Sequence, residues 1–252
     1  MPLHIERHDR VALLTLDDPD RRNALTLDLV RVIVDTFDAL EADDGVGAVV
    51  LTGAAPAFCS GADTTALRPR ADEAPRDENL FPSIYEGFLR VLHSSLPTVA
   101  AVNGPAVGAG FNLAMACDVR IASPAARFDS KFLAIGIHPG GGHTWLLERA
   151  VGPQAAAACV LFGERLDGVR AAEVGLAWAC VPEDELVSHA IAFAARAASP
   201  PTPLVSAAKA SLREAPWQED FDSAVAAELV RQRWSTTQPF FGAPARARPS
   251  AS

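Results

Sequence analysis

The chain has 252 residues, 49% of them hydrophobic and 21% charged, with a formal net charge of −9. That is the composition of an ordinary globular protein, long enough to bury a large core without disulfide or metal staples. The acidic balance argues against general affinity for nucleic acid, whose binding rests on phosphate neutralisation. No apolar run approaches the ~20 residues that cross a bilayer, and the opening MPLHIERHDR has no apolar signal core, so a cytoplasmic protein is expected.

Val11 to Leu16 (VALLTL) is a short apolar run before the turn-rich DDPDRRN and predicts a strand. Thr26 then caps a helix, with Leu29, Val32, Ile33, Thr36, Phe37 and Leu40 at helical spacing and a stop at DDG. Ala48 to Gly53 (AVVLTG) predicts a buried strand, followed by a tight turn at FCSGAD. Leu67 to Glu78 is rich in Pro, Arg, Asp and Glu without a period, which predicts a long surface loop. Ser83 to Ser95 predicts an amphipathic helix, Thr98 to Val102 a buried strand, and Val119 to Ser123 another. From Trp145 the pattern turns mostly helical, over Pro153–Phe162, Val169–Val174, Asp184–Ala198, Pro203–Glu214 and Phe221–Trp234. The last ten residues, APARARPSAS, predict a frayed tail. Alternating strands and helices in the first half favour an α/β fold. The expected organisation is an α/β core over 1–195 and a C-terminal helical region over 196–252.

Cys59, Cys117, Cys159 and Cys180 form no CxxC pair, and the six histidines form no HxH or HExxH arrangement. Neither a disulfide framework nor a metal site is expected. The chemistry points elsewhere. VVLTG-AAPAFCSGAD and VAAV-NGPAVGAGFNL each run from a buried strand through small residues into a turn or helix. Small side chains let a ligand approach the main chain. Free N–H groups at a helix start attract negative charge. Two such groups converging on one point make an oxyanion hole, for which the amides of Ala62 and Ala109 are the candidates. Close packing of Gly and Ala explains the same pattern without function. A dinucleotide site is the third reading, but GAGFNL lacks a clean GxGxxG and the acidic partner that such sites use.

Taken in order, RRNAL, AVVLTG…AFCSGAD, AAVNGPAVGAGFNLAMACDVRIAS, GIHPGG and AAEVGLAWACV resemble the enoyl-CoA hydratase/isomerase (crotonase) family. The resemblance covers about Val11 to Pro182. It implies a crotonase-like spiral of ββα turns with a C-terminal helical trimerisation lobe, and a homotrimer or dimer of trimers. It implies an acyl-CoA thioester as ligand, with coenzyme A part of the substrate and no separate cofactor. It places the thioester-polarising donors at Ala62 and Ala109. Contacts to the coenzyme map to Ala24, Gly61 and Asp63, with Gly108 in the second turn and Arg22 as a phosphate partner.

Hydratases of this family handle water with two glutamates, whose positions here hold Asn112 and Phe132. An amide exchanges no proton near neutral pH and a phenyl ring has none to exchange. Asn112 reads either as a ligand-orienting amide or as a satisfied structural one, and Phe132 as a pocket wall or ordinary core. Acid–base work then falls to His138, His143 or Asp129, unless the histidines only bond loop carbonyls and Asp129 is a surface carboxylate. A Cys59–His138 nucleophile pair is a further arrangement. The expectation is a non-hydratase acyl-CoA enzyme, whether isomerase, hydrolase or lyase. The alternative is a protein that binds acyl-CoA without transforming it.

Overall fold

The computed structural model describes residues 2–63 and 80–242. The loop expected at 67–78 and the tail expected from 243 lie outside the described residues. Nine strands form two sheets among those described. β1 (Leu3–His8) and β2 (Val11–Leu16) make an antiparallel hairpin. β2 then pairs in parallel with β3 (Ala48–Gly53), β3 with β4 (Thr98–Val102), β4 with β6 (Val119–Ala122), and β6 with β9 (Ala179–Cys180). The smaller sheet has the order β5 (Pro105–Val107), β7 (Arg127–Asp129), β8 (Leu166–Asp167).

The central strands read as unbroken apolar runs because both of their faces are covered. In β3, Val49 and Leu51 face one core with Leu14, Phe37, Phe58 and Phe111, while Ala48 and Val50 face a second with Leu186, Ala190 and Ala194. β2 and β4 alternate in the same way: Leu14 and Ala100 enter the first core, Leu13 and Ala101 the second. Each fully buried Leu, Val or Phe contributes roughly 1.5–3 kcal/mol. The first core is roofed by α1 (Leu27–Glu41), α2 (Leu80–Leu92) and α3 (Ala109–Ala116). Thr26 caps α1 as its sequence predicts, its Oγ1 accepting from the Leu29 N–H at 3.1 Å.

Chain order therefore alternates one or two strands with a helix, giving the ββα spiral expected of the crotonase-like α/β fold. α4 (His143–Leu161) bends at Gly152, whose φ of +76° suits glycine, and restarts at Pro153. The helix predicted from Pro153 is thus only its second half. α5 (Gly168–Glu173) and α6 (Leu186–Ala198) follow. The boundary expected at 195/196 falls inside α6, which stays docked on the sheet through Ala194 and Ala198. α7 (Thr202–Glu214) is pinned to the sheet by a buried cation. Lys209 Nζ donates to the Leu96 carbonyl at 2.5 Å and pairs with Asp118 at 2.6 Å. α8 (Phe221–Thr236) completes the described chain and leaves Phe221 and Val230 exposed.

Candidate active site

Two turns lie side by side at the ends of β3 and β4. Cys59 and Ala106 form a parallel bridge: the Cys59 N–H donates to Pro105 O and the Val107 N–H to Cys59 O, both at 3.0 Å. Three residues beyond each bridge partner come Ala62 and Ala109. A Cβ added to Gly61 would lie 3.7 Å from the Ala109 nitrogen, so the turns approach closely. Gly61, at φ +103°, and Gly110, where a Cβ would run into the Cys59 carbonyl, have to be glycine for this approach. Among the described residues, neither the Ala62 nor the Ala109 N–H donates to a main-chain carbonyl. Ala109 opens α3, behind Gly108. The Gly108 N–H is itself held by Asp129 O at 2.9 Å.

The first turn is braced from the segment before α1. Asn23, fully buried, accepts from the Asp18 N–H at 2.9 Å and donates to Ala54 O and Ala57 O at 2.8 and 2.7 Å. Its φ of +57° is one that asparagine tolerates better than most residues. The Leu25 N–H donates to Gly61 O and the Asp63 N–H to Leu25 O, which lays Ala24, Gly61 and Asp63 along one ridge. Arg22 is exposed, and among the described residues its guanidinium has no ion-pair partner.

Asn112 lies one turn into α3 and is buried, as are His143 and Ser130. The three side chains form one chain of hydrogen bonds. Asn112 Nδ2 donates to Gly140 O at 2.9 Å, so its Oδ1 faces His143. That oxygen accepts from His143 Nδ1 at 2.7 Å, which puts the ring proton on Nδ1. His143 Nε2 is then the acceptor, and Ser130 Oγ donates to it at 2.7 Å. Phe132 and Phe111 pack edge-on against the imidazole, with ring centroids 4.9 and 5.2 Å away. Burial among these rings pushes His143 down from its ordinary 6.5 to about 4, so the ring is neutral at physiological pH.

Of the candidates from sequence, Asn112, Phe132 and His143 thus come together, and Gly108 adjoins them: a Cβ there would lie 3.8 Å from the Phe132 ring and from Ser130 O. The structure sets two others apart. Asp129 pairs with Arg165 at 3.0 Å and lines a groove with Pro105, Val107, Arg127 and Asp167, on the strand face opposite buried Phe128. His138 is exposed and its Nδ1 bonds Pro139 O at 2.7 Å. The Cys59–His138 pair is also set aside, because burial raises the Cys59 thiol to about 12, leaving it inert. Sequence reasoning missed Ser130, Asn23 and Tyr85. The Tyr85 hydroxyl accepts from the Gly141 N–H, and burial raises the phenol above its ordinary value. Asn23 stands in the RRNAL motif and was open to notice. Ser130 carries no local signal.

A parallel-sheet spiral with two glycine-lined turns presenting unengaged amides defines a protein of the crotonase class. The chain belongs to the enoyl-CoA hydratase/isomerase family, whose model matches residues 6–233. It is 46% identical over 246 residues to the probable enoyl-CoA hydratase EchA14 of Mycobacterium tuberculosis, covering 96% of this chain and 94% of that one. The crystal structure of an enoyl-CoA hydratase from Bacillus anthracis is similar with a TM-score of 0.87 and 27% identity, over 95% of this chain and 92% of that one. A putative enoyl-CoA hydratase from Thermobifida fusca, solved in complex with CoA, is similar with a TM-score of 0.83 and 30% identity, over 94% and 93% of the two chains. No helix among the described residues is long and apolar enough to cross a membrane.

Proposed function

We propose that this protein binds an acyl-CoA thioester and polarises its carbonyl with the Ala62 and Ala109 N–H groups. One observation carries the reading: the Cys59–Ala106 bridge holds the two turns in register and leaves both amides without a main-chain acceptor among the described residues. Such donors meet negative charge as it develops on the thioester oxygen, and one of them is typically worth ~3 kcal/mol in the transition state. The ridge of Ala24, Gly61 and Asp63 would carry the pantetheine arm, and Arg22 a phosphate of the coenzyme. Coenzyme A enters as part of the substrate.

The reaction is not water addition by paired carboxylates. Asn112 and Phe132 occupy the two positions concerned, and the loss of a positioned acid or base costs about 10²–10⁴-fold. The protein would assemble as a homotrimer or a dimer of trimers, covering apolar residues such as Trp217 and Phe221 that the single chain leaves exposed. A second reading, binding without turnover, is favoured by the fact that Asn112 is already satisfied at both ends.

Carbonyl-edited infrared spectroscopy tests the proposal directly. A ¹³C-labelled thioester bound to the protein is expected to show its C=O stretch below that of free ligand. An unchanged frequency in a saturated complex overturns the polarising role. Turnover of a thioester panel separates catalysis from binding alone.

A further inference from the structure

We propose that Ser130, His143 and Asn112 form a nucleophilic triad that hydrolyses the bound thioester through an acyl-Ser130 intermediate. This rests on the acyl-CoA reading above and supplies its reaction.

The argument starts from the polarity of the hydrogen-bond chain. The Gly140 carbonyl takes the Asn112 NH₂, so the amide oxygen must face the imidazole. That makes Nδ1 the protonated nitrogen and leaves the Nε2 lone pair pointing at the Ser130 hydroxyl, 2.7 Å away. Nucleophile, base and orienting group therefore stand in the order that activates a serine. Asparagine suffices as the orienting group when its oxygen, not its nitrogen, meets the ring, because the correct tautomer is then held. Among the described residues the Ser130 hydroxyl bonds only His143, so its proton has one destination.

Position gives a second, independent support. Ser130 follows Asp129, whose carbonyl holds the Gly108 N–H at 2.9 Å, and the next amide along the chain is that of Ala109. The nucleophile thus flanks the turn that presents one of the two proposed oxyanion donors. Phe111 and Phe132 pack edge-on against the imidazole and fix its plane, with the Nε2 lone pair on the Ser130 hydroxyl. A thiolate is also an undemanding leaving group, since a thiol ionises near pH 8.5. A base without a carboxylate behind it is therefore matched to a thioester better than to an amide.

The steps balance without oxidant, reductant or cofactor. Ser130 Oγ attacks the thioester carbon and its proton passes to His143 Nε2. The tetrahedral oxyanion faces the Ala62 and Ala109 amides. The C–S bond breaks, the CoA sulfur takes the proton from Nε2, and an acyl-serine ester remains. Water then gives a proton to Nε2 and attacks the ester carbon. The C–O bond breaks, Ser130 recovers its proton, and a carboxylic acid leaves. The oxyanion donors that could serve an enolate serve this intermediate equally.

The test uses the full chain with acetyl-, crotonyl- and decanoyl-CoA. Rapid-quench mass spectrometry is expected to find an acyl adduct on the peptide carrying Ser130, with release of free CoA thiol. Ser130→Ala is expected to lose the adduct and at least about 10³-fold of CoA release, while its acyl-CoA Kd stays within about twofold. A fluorophosphonate probe on the unmodified protein gives a readout that needs no variant: it is expected to label Ser130, and saturating acyl-CoA is expected to block it. Asn112, as a positioning residue, is tested by Asn112→Asp, which is expected to shift the acid limb of the pH–rate profile upward. CoA release that persists in Ser130→Ala overturns the triad. So does a protein that binds acyl-CoA yet neither forms the adduct nor releases thiol, although the acyl-CoA reading then survives. Failure to bind any of the three ligands overturns both.

Discussion

Replacing Asn112 by Asp tests what surrounds His143 more sharply than removing either residue. In the native site the ring makes its Nδ1–H···O bond to a neutral amide and packs against Phe111 and Phe132. Burial alone accounts for its fall from 6.5 to about 4. At ~1.36 kcal/mol per pH unit, that gap disfavours the folded imidazolium by ~3 kcal/mol. The sign follows: between about 4 and 6.5 the unfolded chain binds the proton and the folded one does not. Stability from this group is therefore complete above 6.5, falls as pH drops through that window, and levels off below it. A carboxylate at position 112 would give the imidazolium an opposite charge at hydrogen-bond distance, an arrangement that raises a pKa by ~1–3 pH units. The midpoint should move to about 5–7, and the acid loss of stability should shrink accordingly. The substitution also removes one of the two donors to the Gly140 carbonyl, which keeps only the His143 N–H at 3.3 Å, at a cost of ~0.5–1.5 kcal/mol at neutral pH. Titration of the His143 ring by NMR, with urea unfolding from pH 4 to 8, reads both numbers. A midpoint still near 4 in the folded variant would refute the arrangement of proton and acceptor on which the site chemistry rests.

Other outcomes follow from the same structure. Asn23→Ala removes three hydrogen bonds, one buried and two partly buried, and places alanine at a φ of +57°. It should cost ~2–4 kcal/mol in urea unfolding and weaken acyl-CoA binding, because the first turn loses its brace. Arg22→Ala should weaken acyl-CoA by about 3–10-fold, equivalent to ~0.7–1.4 kcal/mol, while leaving the matching acyl-pantetheine unchanged in calorimetry. Equal losses for both ligands would remove Arg22 from the phosphate. Asn112→Glu with Phe132→Glu should increase hydration of crotonyl-CoA in a coupled assay while abolishing CoA release, since it supplies two carboxylates and breaks the Gly140–Asn112–His143 chain. A folded double variant with unchanged hydration would count against the placement of both residues.

The parts of the fold legible in the sequence are those whose burial is local and complete. β2, β3 and β4 announce themselves because every position is apolar or small and both faces are covered. Thr26 marks the start of α1 for a reason confined to three residues. β1 escaped because five of its six residues are exposed and Arg7 breaks its alternation. β5, β7 and β8 have only two or three residues each and exist by pairing with distant partners. The first half of α4 was hidden by the HPGGGH run before it and the Gly152 bend within it.

The site divides along the same line. The two small-residue turns were visible because a backbone that must approach closely can tolerate little else, as Gly61 and Gly110 illustrate. Asn112 and Phe132 were singled out by the family resemblance alone. That Asn112, Ser130 and His143 touch did not follow, because α3, the segment after β7 and the start of α4 meet only in three dimensions. Asp129 and Ser130 are neighbours in the chain, yet strand alternation sends one to a groove beside Arg165 and the other to the imidazole.

The Cys59–Ala106 bridge has a consequence for how such a scaffold changes over time. The approach of the two turns is written in peptide-to-peptide bonds and in the glycines at 61 and 110, with the Asn23 side chain bracing the first turn from outside. Side chains at 112, 130 and 132 lie outside that bridge and can change without breaking its two peptide hydrogen bonds. A main chain fixed this way outlasts many exchanges of the side chains around it.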